Sequence, residues 1–344
     1  MKDILNKLCL GHDLTNMEAK LAMAAIMDGE ATPAQVAAFL VALKMKGETA
    51  GEIYGCATAM LERAQQVRTK RTDLTDTCGT GGDRRGTFNI STVAAIIAAG
   101  AGLSVAKHGN RSVSSKCGSA DVLEALGVTL ELSAEQMGNC LDEVGLAFLY
   151  APVLHPAMKI AAGPRREVGV RSVFNLLGPL TNPAGASRQL MGVYAPELAE
   201  VMANVLLLLG AERALVVHGS DGSDELTVTG STLFYELKDG QVSCANLSPE
   251  SVGLRTAASD ALVGGDPEEN AWLVLNVLSG QIGPHRDVSV LNAGAALYVG
   301  GLAKDLTEGV QMAKKTIDCG AAMEKLQALQ HFTGGANSAL ANCS

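Results

Sequence analysis

Polar residues that suit helix caps recur through the first seventy positions, each followed by apolar residues spaced three and four apart. Thr15-Asn16-Met17-Glu18 has the form in which a threonine hydroxyl accepts from the third helical N–H while the glutamate bonds back to the cap. The run behind it stops at Gly29, where a left-handed C-terminal cap is expected. Thr32-Pro33-Ala34-Gln35 repeats the device with proline at the first helical position and stops at Gly47, and Thr49 with Glu52 opens a third run. Helices this short, joined by links of two or three residues, cannot each bury a face alone, so residues 1–70 are predicted to pack as a helical bundle.

From Leu74 onward short β-rich runs alternate with helical ones, the pattern of an α/β domain with a mostly parallel central sheet. Strands are predicted over 74–78, 103–107, 146–150, 188–194 and 213–218, and helices over 91–101, 119–126, 133–144 and 196–209. Residues 226–242 read as a hairpin running into a Lys238-Asp239-Gly240 turn. The chain beyond Asn270 reads as mostly helical with Trp272 on a packing face, and the small polar residues from Gly334 read as a frayed end. Between them, residues 155–187 are rich in Pro, Gly and Arg and break the rhythm.

A chain of 344 residues has room for two domains, and 47% hydrophobic with only 3% aromatic residues means a core of Ala, Leu, Val and Ile. A net charge of −9 argues against a nucleic-acid or anionic-membrane surface, so any anion specificity has to come from local loops. The eight cysteines show no C-x-x-C pair or zinc spacing and read as free thiols in a reducing cytosol. With neither a signal peptide at Met1 nor an apolar run of about 20 residues, a cytoplasmic location with no membrane partner is expected.

Candidate chemistry concentrates between Asp76 and Ser119. Cys78-Gly79-Thr80-Gly81-Gly82-Asp83 puts three glycines in four positions, which lets backbone N–H groups approach a ligand closely. Asn89-Ile90-Ser91-Thr92 then stands at a helix start, where unpaired N–H groups and the dipole favour an anion. Lys107-His108-Gly109-Asn110-Arg111, continuing to Gly118-Ser119, adds positive charge after the next strand. One glycine-rich loop is an ordinary turn; two flanking one small-residue helix describe a pocket for a polyphosphate. No G-x-x-x-x-G-K-[ST] is present, Arg84 stands where a dinucleotide fingerprint needs glycine, and no G-x-S-x-G or H-E-x-x-H occurs.

These loops, with Gly163-Pro164-Arg165-Arg166-Glu167-Val168-Gly169, the run Arg171–Pro183 and Asp224-Glu225, resemble the anthranilate phosphoribosyltransferase family in order and over most of the chain. The resemblance implies a small helical domain, residues 1–70 completed by about 155–187, beside an α/β domain of residues 71–154 and 188–344, with the active site in the cleft between them. It implies transfer of a phosphoribosyl group from 5-phosphoribosyl-1-diphosphate to the amine of anthranilate, in tryptophan biosynthesis. Gly79, Gly82, Asp83, Thr87, Asn89, Ile90, Ser91, Thr92, Lys107, Ser115 and Ser119 would face the phosphoribosyl diphosphate. Gly79, Asn110 and Arg165 would face anthranilate, the arginine fork being suited to its carboxylate. Ser91, Asp224 and Glu225 would hold Mg2+, two ions per subunit, through hard oxygen ligands. Lys107 and His108 stand as the catalytic candidates, His108 being either a proton acceptor or a packing group. A homodimer through the N-terminal helices is expected, since so small a bundle leaves apolar faces uncovered. The alternatives in the same fold are a pyrimidine nucleoside phosphorylase and a non-catalytic nucleic-acid-binding relative; overall acidity and the retained acidic pair speak against the second.

Overall fold

All three capping boxes form. Thr15, Thr32 and Thr49 accept from the N–H three residues on, at 3.2, 3.3 and 3.3 Å, while Glu18, Gln35 and Glu52 bond back to the cap N–H. The computed structural model describes residues 1–83, 85–112, 116–258 and 260–334. Its N-terminal helices are α1 (Lys2–Cys9), α2 (Asn16–Met27), α3 (Pro33–Lys46) and α4 (Ala50–Leu61), with Gly29 at positive φ behind α2 as expected and α3 stopping at Gly47. The chain then runs through β1 (Thr75–Asp76), α5 (Ile90–Gly100), β2 (Val105–Gly109), α6 (Ser119–Ala125), α7 (Ala134–Val144) and β3 (Leu146–Tyr150). The short helix α8 (Ala151–Leu154) follows β3, and α9 (Met158–Val168) and α10 (Phe174–Leu177) lie in the Pro/Gly/Arg-rich segment. Next come β4 (Arg188–Gly192), α11 (Glu197–Leu208), β5 (Arg213–Gly219), β6 (Thr232–Lys238), β7 (Gln241–Leu247), α12 (Pro267–Leu278), α13 (Pro284–Val299), α14 (Leu306–Asp318) and α15 (Ala321–Phe332).

The seven strands form one sheet in the order β3-β2-β1-β4-β5-β6-β7, parallel through β5 and antiparallel across β6 and β7. Successive side chains of a strand face opposite sides. Leu190, Leu215 and Val217 accordingly join one core with α5 and α13. Met191, Ala214 and Val216 join a second core with α2–α4 and α11, to which residues 161–180 add Ala161, Val173, Phe174 and Leu177. The Arg-rich segment is thereby anchored among the N-terminal helices.

Three expectations change. β1 shortens to Thr75–Asp76, because the chain beyond turns into the glycine loop instead of continuing the ladder. The hairpin starts at Thr232, not 226, since Asp221 and Asn292 hold residues 223–229 through side-chain bonds that take them off the sheet; its turn has Asp239 and Gly240 at φ 52° and 73°, as a tight two-residue hairpin needs. Trp272 is 55% exposed, because the buried stripe of α12 runs through Asn270, Ala271, Val274, Val277 and Leu278 and leaves it to one side. None of the seven described cysteines is in a disulfide among the described residues; Cys343 and the rest of residues 335–344 fall outside the described residues. No helix among the described residues is long and apolar enough to cross a membrane.

Candidate active site

The glycine loop leaves the end of β1 and is stapled to the end of β4. Thr80 N–H donates to the Gly192 carbonyl at 2.9 Å, and Thr80 Oγ1 accepts from Tyr194 N–H at 3.1 Å. Gly79 is required by this closeness: a Cβ there would lie 3.0 Å from the Asp224 carboxylate and 3.1 Å from the Gly192 carbonyl. Gly81 and Gly82 then turn at φ 63° and 79°, which puts Gly81 N–H on Asp224 Oδ2 at 2.7 Å. Arg171 donates to the Gly82 carbonyl and stacks over the Tyr194 ring at 4.2 Å, so the middle segment holds the loop from the other side. Asp83 accepts from Arg85 N–H through one oxygen, while its other oxygen is buried with no hydrogen-bond donor among the described residues. Thr87 bridges Val263, which ties the end of the loop to the turn before α12.

At the start of α5 the cap differs from the expected one. Asn89 occupies the cap position but turns its side chain away, accepting from Asn270 at 3.0 Å and donating to the Cys117 carbonyl at 3.3 Å. The Ser91 N–H is instead taken by the Glu225 carboxylate at 3.1 Å, an anion at the positive end of the helix. Lys107, buried in the middle of β2, donates to Ser91 Oγ at 3.2 Å and to the Thr77 carbonyl at 2.9 Å. Ile90 is buried, so it can offer a ligand only backbone, and the buried Thr92 hydroxyl has no protein partner.

Asp224 and Glu225 sit where these pieces meet. Both keep part of their surface open, yet burial pushes both carboxyls well above their usual range; Asp83 adds to the rise at Asp224, and Asp224 to that at Glu225. Lys107 opposes the rise at Glu225 without cancelling it. A carboxylate cluster short of positive charge, with an unpartnered Asp83 oxygen and a serine hydroxyl beside it, fits a hard divalent cation. Among the described residues no three His, Cys, Asp or Glu side chains close into a metal cage.

The second loop follows β2. Gly109 passes so close to Phe148 that a Cβ would stand 2.6 Å from its ring. The Asn110 carbonyl accepts from Ser119 Oγ and Ala120 N–H, both at 3.2 Å, and its side-chain Oδ1 accepts from Arg111 N–H at 2.7 Å. Arg111 is committed elsewhere, to Asp121, Glu124 and the Tyr150 hydroxyl. Ser115 lies outside the described residues. Arg165, on α9, stacks over Phe174 at 4.7 Å and pairs with no carboxylate among the described residues, and burial lowers its pKa. A partly buried guanidinium without a carboxylate partner has donors to offer an anion.

His108 is buried against His155, ring centroids 5.1 Å apart. Its Nδ1–H donates to the Gly178 carbonyl at 2.9 Å, and Nε2 has no protein partner. Burial, with His155 and Lys107 nearby, pulls its pKa down to about 3, so the ring is neutral near pH 7. Three residues given no role from sequence join it in pinning the middle segment to the sheet. Gln189 donates to the Pro179 carbonyl at 2.6 Å, and Asn182 donates to Asp76 Oδ2 and the Ala106 carbonyl, each at 2.8 Å. Asp76, its pKa raised by burial to about 6, also accepts from His108 N–H at 3.1 Å. Nothing local marks Asp76 or Gln189 in the sequence, since each reads as an ordinary strand residue.

The family model for the glycosyl transferase family a/b domain matches residues 71–323, and that for the glycosyl transferase family helical bundle domain matches residues 2–64. Anthranilate phosphoribosyltransferase of Symbiobacterium thermophilum is 54% identical over 333 residues, 97% of this chain and 98% of the relative. The crystal structure of the enzyme of that name from Thermus thermophilus superposes with a TM-score of 0.92 at 47% identity, covering 97% of this chain and all of the other. That of Saccharomyces cerevisiae, solved in complex with PRPP and Mg, gives 0.90 at 27% identity over 97% of each chain.

Proposed function

The chain belongs to the anthranilate phosphoribosyltransferase family, and on that premise we propose how its residues transfer a phosphoribosyl group from 5-phosphoribosyl-1-diphosphate to anthranilate in the tryptophan pathway. The observation that carries the reading is the junction of the glycine loop, the α5 N-terminus and the Asp224-Glu225 pair, three elements far apart in sequence and linked by hydrogen bonds of 2.7 and 3.1 Å. Incubation with anthranilate, the diphosphate donor and Mg2+ should remove the fluorescence of anthranilate and release pyrophosphate. No loss with all three present would refute the reading. Neither the nucleoside phosphorylase nor the nucleic-acid-binding alternative is favoured by the relatives.

The donor lies against Gly79, Gly82, Asp83, Thr87, Asn89 to Thr92, Lys107 and Ser119, with its charged end at the α5 N-terminus. Ser91, Asp224 and Glu225 hold Mg2+, two ions per subunit in the full complex. What the cation supplies when bound is neutralisation of the departing diphosphate. Lys107 adds a fixed positive charge on the same side and orients the Ser91 hydroxyl. Arg165 takes the carboxylate of anthranilate, with Asn110 and the Gly79 backbone beside it, so that the amine nitrogen faces the sugar carbon. As the new C–N bond forms the C–O bond to diphosphate breaks, its electron pair leaving with the diphosphate, and the anilinium nitrogen so formed sheds one proton to solvent or to the departing diphosphate. The bundle of residues 1–70, with about 155–187 returning to it, forms the acceptor wall of a cleft whose donor wall is the α/β domain. The enzyme works in the cytoplasm.

The attacking amine is neutral near pH 7, so a base is not needed to create the nucleophile, and a histidine with a pKa near 3 is a poor one. His108→Ala is expected to lose less than about 100-fold in kcat, the low end of what general-base catalysis supplies. The wild-type kcat profile should show no histidine-like ionisation between about pH 5 and 8. A profile with that ionisation, abolished in the variant, would make His108 the base.

A homodimer through the N-terminal helices covers Leu10, Met17, Leu21 and Met45, which stand 73%, 60%, 58% and 83% exposed on α2, the end of α3 and the turn after α1. Sedimentation at micromolar concentration should give a dimer, and Met17→Glu with Leu21→Glu should give a monomer. A wild-type monomer, or a dimer indifferent to these charges, would contradict the assembly.

A further inference from the structure

Resting on the reading of Asp224 and Glu225 as the cation pair, we propose that Asn292 and Asp221 are positioning residues for that pair, setting the affinity for Mg2+ without touching it. Asn292 lies on α13, fully buried, and makes a two-point clip on the residue immediately after Glu225. Its Oδ1 accepts from Leu226 N–H at 3.1 Å and its Nδ2 donates to the Leu226 carbonyl at 2.8 Å, with a further bond to the Val288 carbonyl at 2.9 Å. The amide can sit only one way round, since reversing it would set NH2 against an N–H and oxygen against two carbonyls. An asparagine here does for Leu226 what a neighbouring strand would do, at a point where no strand is available.

Asp221 holds the other side of the same turn. Oδ1 accepts from Ser223 N–H at 3.0 Å and Ser223 Oγ at 2.7 Å, and Oδ2 accepts from Thr227 Oγ1 at 2.7 Å and Thr229 Oγ1 at 2.6 Å. The two carboxylates are therefore fixed from both flanks by backbone and side-chain bonds, while their own oxygens remain turned toward the site. Such bracing is needed, because adjacent buried carboxylates repel and an unbraced turn would swing them apart toward water. Helix α13 also packs along α5, whose Ser91 N–H meets Glu225. One buried helix thus sets both the acidic turn and the serine that shares its cation, although 134 residues separate Ser91 from Glu225 in the chain.

Asn292→Leu keeps the volume and removes both ends of the clip; Asp221→Ala removes all four bonds from a half-exposed turn and keeps the proposal testable if the core variant fails to fold. Binding of Mn2+ in the presence of the diphosphate donor, followed by the signal of free Mn2+ in electron paramagnetic resonance, is the readout, alongside the Mg2+ concentration for half-maximal rate. For each folded variant both are expected to weaken by about tenfold or more, the equivalent of losing one or two net hydrogen bonds, while the KM for anthranilate changes by less than about threefold. Excess Mg2+ should restore most of the rate. Unchanged Mn2+ binding in either folded variant, with Asp224→Ala/Glu225→Ala still abolishing it, would overturn the positioning role. Unchanged binding in the double variant as well would instead remove the cation pair itself.

Discussion

Replacing both members of the acidic pair, Asp224→Ala/Glu225→Ala, is expected to lower kcat by about 10³-fold or more and to flatten the dependence of rate on Mg2+. The effect should be large because charge on the leaving diphosphate grows as the C–O bond breaks, and loss of even one preorganised electrostatic contact at such a point costs about 10²- to 10³-fold. The variant should nonetheless fold, since it removes two carboxylates whose pKa values are raised by burial and by neighbouring acids, Asp83 at Asp224 and Asp224 at Glu225, and so relieves repulsion. Two contacts of the pair are lost with it, those from Gly81 N–H and Ser91 N–H, so the glycine loop should become more mobile by hydrogen exchange. Steady-state rates across a Mg2+ titration check the expectation, and ordinary magnesium-dependent turnover in the double variant would eliminate the assignment.

The second large effect is on the acceptor. Arg165→Ala should raise the KM for anthranilate by about 10²-fold, as expected from losing about 3 kcal/mol in a bidentate charge-assisted pair, and leave the donor KM within about threefold. The Phe174 ring already holds the guanidinium plane at 4.7 Å, so the fork is oriented before substrate arrives. Arg165→Lys should recover little, because an ammonium keeps the charge and loses the planar fork. If both substrates lose affinity equally, the residue serves the closed cleft in general, and the carboxylate assignment fails.

Much of this protein was legible along the chain because it is local. Caps at Thr15, Thr32 and Thr49 involve partners three residues away, and the Asp239-Gly240 turn needs only its own two residues. The glycines of the first loop announced a sharp turn, and Gly81 and Gly82 do turn at φ 63° and 79°. Side-chain alternation in β4 and β5 likewise follows from a period of two, which any strand must obey.

What the fold alone decided are the contacts between elements distant in sequence. Glu225 capping α5, Gly81 on Asp224 across 143 residues, and the clip of Asn292 on Leu226 have no periodicity that a linear reading could register. Nor could the sequence show that Asn89 at the helix start would turn away from its cap, that Trp272 would face outward, or that His108 would be buried and neutral. Each depends on the neighbours that the fold supplies: a carboxylate at the α5 N-terminus takes the N–H that the asparagine would have capped, and burial, with a second imidazole beside it, keeps His108 neutral against the opposing pull of the Gly178 carbonyl. Local sequence determines which conformations a segment favours, whereas burial and charge are properties of the assembled surroundings, and it is these that give the acidic pair and the histidine their chemistry.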